Sequence, residues 1–271
     1  YLEILENSIF PNKIDTSNLK VKDLLIAGCG TGFHPLNIAI SDKSLNIDAI
    51  DISLSSLSYA KRKAKELNVN NISFYQCDIL NIDKLEKKYD AVECSGVLHH
   101  MENPQKGFDA LTRRLKKGGV MKIALYARSF RKELQKAKDF LKKGNTSTKI
   151  ESIRENRDKL IMSSMNEAEK SLIQFPTILR DFYTTSEFID LLMHVQEHDY
   201  NTEELKNMFK DSYDFLGFAF QKTTGSKTAK AIYGIEFPDD KKMTNLDNWS
   251  IIEKNNSATF MSMYQFWLQK R

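Results

Sequence analysis

The chain has 271 residues, 41% of them hydrophobic, enough to bury one substantial core as a single α/β domain, with or without an inserted lobe. Forty basic residues against 36 acidic ones give a formal charge of +4, far from the basic excess of a chain built around phosphate contacts, so composition does not call for nucleic acid. Cys29, Cys77 and Cys94 fit neither a zinc ligand set nor a disulfide framework, and no apolar run reaches the ~20 residues of a bilayer span; the expected setting is the reducing cytoplasm, away from membranes.

Residues 1–21 read as a lead-in that begins abruptly at Tyr1, as a piece of a longer polypeptide would. From Lys22 to about Arg128, short β-like runs at 23–27, 46–51, 72–77, 90–95 and 119–126 alternate with amphipathic helices, the pattern of βαβ units and a parallel sheet. A helix is expected near 35–40. The next, over 53–67, has Leu54, Leu57, Ala60, Ala64 and Leu67 on one face and Ser53 as its N-cap. Phe108, Leu111 and Leu115 stripe a further helix that should end at Gly118-Gly119. Beyond Tyr126 come lysine-rich helices at 130–143, 150–165 and 167–175, and two more near 185–194 and 202–210. Residues 129–200 thus read as a helical insert lying as a lid over the ligand edge. Residues 201–271 hold the last two strands, at 213–221 and 260–269, the second apolar on both faces.

Four elements carry chemistry. The strand Leu24-Leu25-Ile26-Ala27 runs into Gly28-Cys29-Gly30-Thr31-Gly32 and then a helix, whose N-terminus presents free amides behind a backbone that a ligand can approach closely. The spacing is G-x-G-x-G, not the G-x-G-x-x-G of dinucleotide sites. Asp51, with Ile52 beside it, ends the second strand 23 residues after Gly28; a carboxylate there can accept both hydroxyls of a ribose, or simply cap the following helix. In Cys77-Asp78-Ile79, at the third strand end, Asp78 can accept from an adenine amine while Ile79 packs on the ring. The fourth strand ends at Ser95 and leads into Gly96-Val97-Leu98-His99-His100. Four strand C-termini place these groups along one sheet edge, where open α/β folds bind ligands.

These residues resemble class I S-adenosylmethionine-dependent methyltransferases: Ala27 to Gly32 match the glycine motif, Asp51 the ribose acid, Asp78 the adenine acid and residues 96–100 the "VLHH" stretch. The resemblance implies a Rossmann-like, seven-stranded, mostly parallel sheet of order 3-2-1-4-5-7-6, helices on both faces, and the insert between strands 5 and 6. It implies S-adenosylmethionine as cofactor and S-adenosylhomocysteine as product. The cofactor would be held by Ala27, Gly28, Cys29, Gly30, Gly32, Asp51, Ile52, Asp78, Ile79 and Ser95. More narrowly, the glycine loop, residues 93–100, residues 194–198 and residues 263–267 resemble methyltransferase domains that follow tetratricopeptide repeats in bacterial proteins, which implies a repeat domain upstream. One departure is Ile26, where the family often carries an acid that helps orient the cofactor's amino group; here it is missing or supplied elsewhere.

Methyl transfer is an in-line displacement at an activated carbon, so the protein mainly aligns the partners, with a general base where the acceptor keeps its proton. His99 and His100 are the candidate bases. His194 and His198, with Tyr126 and Tyr183, are candidates for the acceptor wall. His194-Val195-Gln196-Glu197-His198 also has the H-x-x-E-H spacing of a zinc peptidase, but it lies where a helix runs out, and no metal is expected. Neither an Asp-Pro-Pro-aromatic tetrad nor a Pro-Cys pair follows the fourth strand, which disfavours nucleic-acid amino groups and ring carbons. The expected acceptor is a small molecule or a peptide or protein. A non-catalytic cofactor-binding module and an NAD-dependent oxidoreductase are the competing readings.

Overall fold

A computed structural model describes residues 1–9, 16–142, 147–166, 175–194, 196–220, 224–256, 258–260 and 262–271. The chain divides into two compact units, Tyr1–Ala127 with His198–Arg271, and Arg128–Glu197.

The first unit is built on a seven-stranded sheet. Its strands are β1 (Asp23–Ala27), β2 (Asn46–Asp51), β3 (Ile72–Gln76), β4 (Tyr89–Ser95), β5 (Leu115–Tyr126), β6 (Tyr213–Phe218) and β7 (Met263–Lys270), in the order β3-β2-β1-β4-β5-β7-β6. The first five are parallel, and β7 runs antiparallel between β5 and β6. This is the Rossmann-like order the resemblance implies. Leu24, Leu25, Ala91, Val92 and Ile123 are fully buried, as parallel strands covered on both faces require. The helices α1 (Leu2–Ser8), α2 (Phe33–Ser41), α3 (Leu54–Glu66) and α4 (Pro104–Arg114) pack around the sheet. Ser53 caps α3 as expected, accepting from the Ser56 N–H at 3.2 Å, and Leu57, Ala60 and Ala64 form its buried stripe.

The path from α4 to β5 departs from the sequence reading. The helix stops at Arg114, and β5 begins at once with Leu115, paired with Tyr89. The next pair is Ala91 with Val120, so β5 carries surplus residues there. Gly118 has φ +75°, and a β-carbon on Gly119 would lie 2.8 Å from the Asp90 carbonyl oxygen. The glycine pair therefore forms a bulge and is not the helix stop. Towards the C-terminus β7 starts at Met263, not 260, after Ser262 in the left-handed region (φ +80°). Expected strand 213–221 ends at Phe218, with 221 outside the described residues. Helix α7 (Thr202–Phe209) lies near its expected place, whereas α8 (Thr224–Glu236) and α9 (Leu246–Asn255), anchored by buried Tyr233 and Trp249, occupy a stretch with no sequence expectation.

The second unit, which overlaps the expected insert, contains α5 (Arg128–Lys142), α6 (Ile150–Met165) and a helical turn, Thr185–Phe188, continuing into a π-turn, Ile189–Met193. Of the helix expected at 167–175, residues 167–174 lie outside the described residues. Its core holds Leu134, Ile153, Leu160, Phe182 and Phe188. Arg131 and Lys138, both buried, converge on the Glu197 carboxylate. Among the described residues no helix is long and apolar enough to cross a membrane.

Candidate functional site

The site is assembled at the C-terminal ends of β1 to β4. After β1 the chain bends sharply through Gly28, whose φ is +72° and whose added β-carbon would lie 2.1 Å from Val97 Cγ2. Only glycine lets the bend pass Val97 this closely. The Gly28 and Cys29 N–H groups donate to the Ile50 carbonyl at 2.8 and 3.0 Å, tying the bend to β2. Asp51 completes the tie: Oδ2 accepts from the Gly30 N–H and Oδ1 from the Ser53 N–H, each at 2.8 Å. Its carboxylate thus fastens the bend to the start of α3, and each oxygen keeps a further lone pair for a ligand.

Asp51 lines a cavity of about 540 Å³ with Gly28, Ile52, Asp78, Leu80, Val97 and His100, among others. Asp78 accepts from the Leu80 N–H at 2.9 Å, which holds its carboxylate at the rim. Ile52 and Leu80 are 70% and 47% exposed. Two branched apolar side chains left in water between two carboxylates form a surface that a flat heteroaromatic ring with hydroxyl and amine donors would cover.

A second cavity, of about 230 Å³, shares Gly28 and Ser95 with the first and is lined by Ala27, Cys29, His34, Glu93 and Lys122. Glu93 is 2% exposed. Its Oε2 lies 2.7 Å from His34 Nε2 and its Oε1 accepts from the Tyr1 hydroxyl at 2.6 Å. Lys122 Nζ stands 4.0 Å from Oε2 and 5.7 Å from the centre of the Trp267 ring. Burial alone would raise the Glu93 pKa; the His34 hydrogen bond, the Lys122 and His34 charges and the Tyr1 hydroxyl outweigh it and hold the carboxyl below its ordinary 4.5. Burial and the Asp51 charge push the Cys29 thiol up to about 12, and burial does the same to Cys94, so neither is a thiolate nucleophile at neutral pH.

A family model described as "Methyltransferase domain" matches residues 15–212. The chain belongs to that family. It is 32% identical over 207 residues to the uncharacterized protein syc1184_c of Synechococcus, covering 72% of this chain and 48% of that protein. It is 31% identical over 116 residues to the ubiquinone biosynthesis O-methyltransferase of Coxiella burnetii, covering 42% and 47%. The chain thus spans about half the length of these curated relatives. Among solved structures it is similar to PKMT2 from Rickettsia typhi, with TM-score 0.70, 15% identity, and coverage of 100% of this chain and 52% of that one, a likeness of fold.

Within this methyltransferase domain, the structure distributes the sequence-predicted residues unevenly. Gly28, Asp51, Ile52, Asp78, Ile79, Ser95 and His100 line the larger cavity, and Ala27 and Cys29 line the smaller. Gly30 lines neither and serves by donating to Asp51. Gly32 also lines neither: its added β-carbon would meet Ala60 Cβ at 2.6 Å, so its part is close packing of the bend on α3. His99 is fully buried, its ring stacked on Tyr126 at 3.7 Å, and Tyr126 is itself buried. The His198 N–H donates to the His99 carbonyl at 2.8 Å, placing His198 beside this stack. Tyr183 and His194 belong to the second unit, where the Tyr183 hydroxyl donates to the Thr177 carbonyl and His194 pairs with Asp190. His194 has extended backbone and His198 lies outside any helix, so the two histidines do not share one helical face, as the peptidase motif needs. Sequence reasoning missed Leu80, Glu93, His34 and Lys122. The available signal for Glu93 was a carboxylate set among Ala91, Val92 and Cys94 in the middle of β4.

Proposed function

We propose that this domain transfers a methyl group from S-adenosylmethionine to a small molecule or to a peptide or protein. The observation that carries the reading is the pair of cavities joined at Gly28 and Ser95, one apolar and rimmed by Asp51 and Asp78, the other holding opposite charges. They suit the nucleoside and the amino-acid tail of one ligand, respectively. When bound, S-adenosylmethionine supplies a methyl carbon already activated by its sulfonium. The chain's own residues then bind and orient: Asp51 accepts from ribose hydroxyls, Asp78 from the adenine amine, and Ile52 and Leu80 cover the ring. His100, lining the nucleoside cavity, is the base for an acceptor that keeps its proton, while His99, stacked on Tyr126, serves as wall. Tyr126 and His198 would flank the acceptor through that wall.

The names of the relatives bear on the acceptor without narrowing it; the Coxiella burnetii enzyme is named for ubiquinone biosynthesis, a small-molecule role. Nucleic acid is not part of this reading. The narrower resemblance adds a tetratricopeptide-repeat partner upstream, and the cysteine pattern adds a cytoplasmic setting; both are to be checked in the full-length gene product. Calorimetry with S-adenosylhomocysteine and with NAD tests the cofactor. Binding of the first and not the second is expected, and Asp51→Asn should weaken it by roughly 10- to 100-fold, the value of a charge-assisted hydrogen bond. Undiminished affinity in that variant would refute the ribose assignment, and hydrolysis-independent release of S-adenosylhomocysteine with some acceptor separates the enzyme from a mere cofactor sensor.

A further inference from the structure

Glu93, buried, and Lys122, largely buried, are a pair with capacity to spare. An ionised carboxylate has about four lone-pair sites, and the described residues fill two of those on Glu93, through His34 and Tyr1. At 4.0 Å the Lys122 ammonium is too far from Glu93 for a hydrogen bond, yet its side chain is only 16% exposed. Taking such charges out of water is costly unless something satisfies them. Both groups line the smaller cavity, at the point where it meets the glycine bend. A negative and a positive group a few ångströms apart are the complement of an α-amino acid zwitterion, whose ammonium and carboxylate are held at a similar separation.

Strand register explains how Glu93 arrives there. It stands opposite Ile26 on the neighbouring parallel strand, and paired residues on adjacent strands project to the same face about 4.8 Å apart. A carboxylate on β4 therefore reaches the space that one at position 26 of β1 would reach, and Lys122 follows from β5 through its pairing with Glu93. We propose, building on the cofactor reading above, that Glu93 and Lys122 are the receptor for the amino-acid tail of the cofactor, Glu93 taking the ammonium and Lys122 the carboxylate. The acid missing at Ile26 is thus supplied from the next strand. The tail recognised here sets the choice of a full sulfonium amino acid over nucleosides lacking one.

Three ligands of graded structure test this by calorimetry on the whole chain: S-adenosylhomocysteine, 5′-methylthioadenosine, which lacks the tail, and decarboxylated S-adenosylmethionine, which keeps only the amine. Glu93→Gln should weaken S-adenosylhomocysteine on the order of 10- to 100-fold and leave methylthioadenosine within about twofold. Lys122→Met should weaken S-adenosylhomocysteine and leave the decarboxylated ligand within about twofold. A residue that merely held the fold would cost all three ligands alike, so equal losses, or no loss for S-adenosylhomocysteine, overturn the assignment. Wild-type protein that binds none of the three overturns the cofactor reading itself, a result distinct from either.

Discussion

Gly32→Ala separates packing from ligand contact at the glycine bend. The new β-carbon would lie 2.6 Å from Ala60 Cβ and 3.2 Å from Ala60 Cα, and the residue sits at φ +86°. Ala60 is fully buried in α3, so it cannot swing aside. A left-handed conformation costs an alanine about 1–2 kcal/mol, and overpacking a filled site about 1–3 kcal/mol, so destabilisation of roughly 2–5 kcal/mol is expected. The companion variant Ala60→Gly removes the opposing methyl at the cost of about 1 kcal/mol of helix propensity. In the double variant the 2.6 Å clash should vanish while the 3.2 Å approach to the Cα and the conformational part persist, giving a favourable coupling of about 1–3 kcal/mol. Urea unfolding followed by tryptophan fluorescence reads this directly, because Trp249 and Trp267, the two tryptophans of the chain, are both buried in the first unit. Destabilisation below about 1 kcal/mol, or a coupling near zero, would refute the argument, because either would mean that α3 yields to the extra methyl.

Two other outcomes follow from titration. Glu93 is held below its ordinary pKa in the folded state, so its stabilising contribution is complete above about pH 4.5 and is lost as pH falls through the lowered value. Glu93→Gln should therefore be less stable at neutral pH but lose less stability between about pH 5 and about pH 3, measured by denaturant unfolding across that range; parallel curves would contradict it. For the cysteines, iodoacetamide at about pH 8 should spare Cys29 and Cys94, whose thiols are pushed up to about 12, and modify half-buried Cys77 first. Because Cys77 lines the larger cavity, S-adenosylhomocysteine should slow that modification, and peptide mass mapping with and without it checks both points.

What one chain's letters determined is local and periodic. The five parallel strands could be read within a few residues because each is a short apolar run bounded by glycine or acid, and Asp51 and Asp78 stood out because a carboxylate ending such a run lies at a strand tip. The bend was legible for the same reason: three glycines in five residues have few other uses. The shared fate of Gly28, Gly30 and Gly32 was not, since one skirts Val97, one donates to Asp51 and one packs on Ala60, and these neighbours lie 21 to 69 residues away along the chain. The same holds for the adjacent histidines, of which one lines a cavity and the other stacks on Tyr126. Glu93 and Lys122 looked like interruptions in β4 and β5; only the lateral register of β1, β4 and β5 sets them side by side behind the glycine bend. Periodicity along a strand reveals which face a residue takes, but pairing across strands decides what it meets there, and that information resides in no single stretch of sequence.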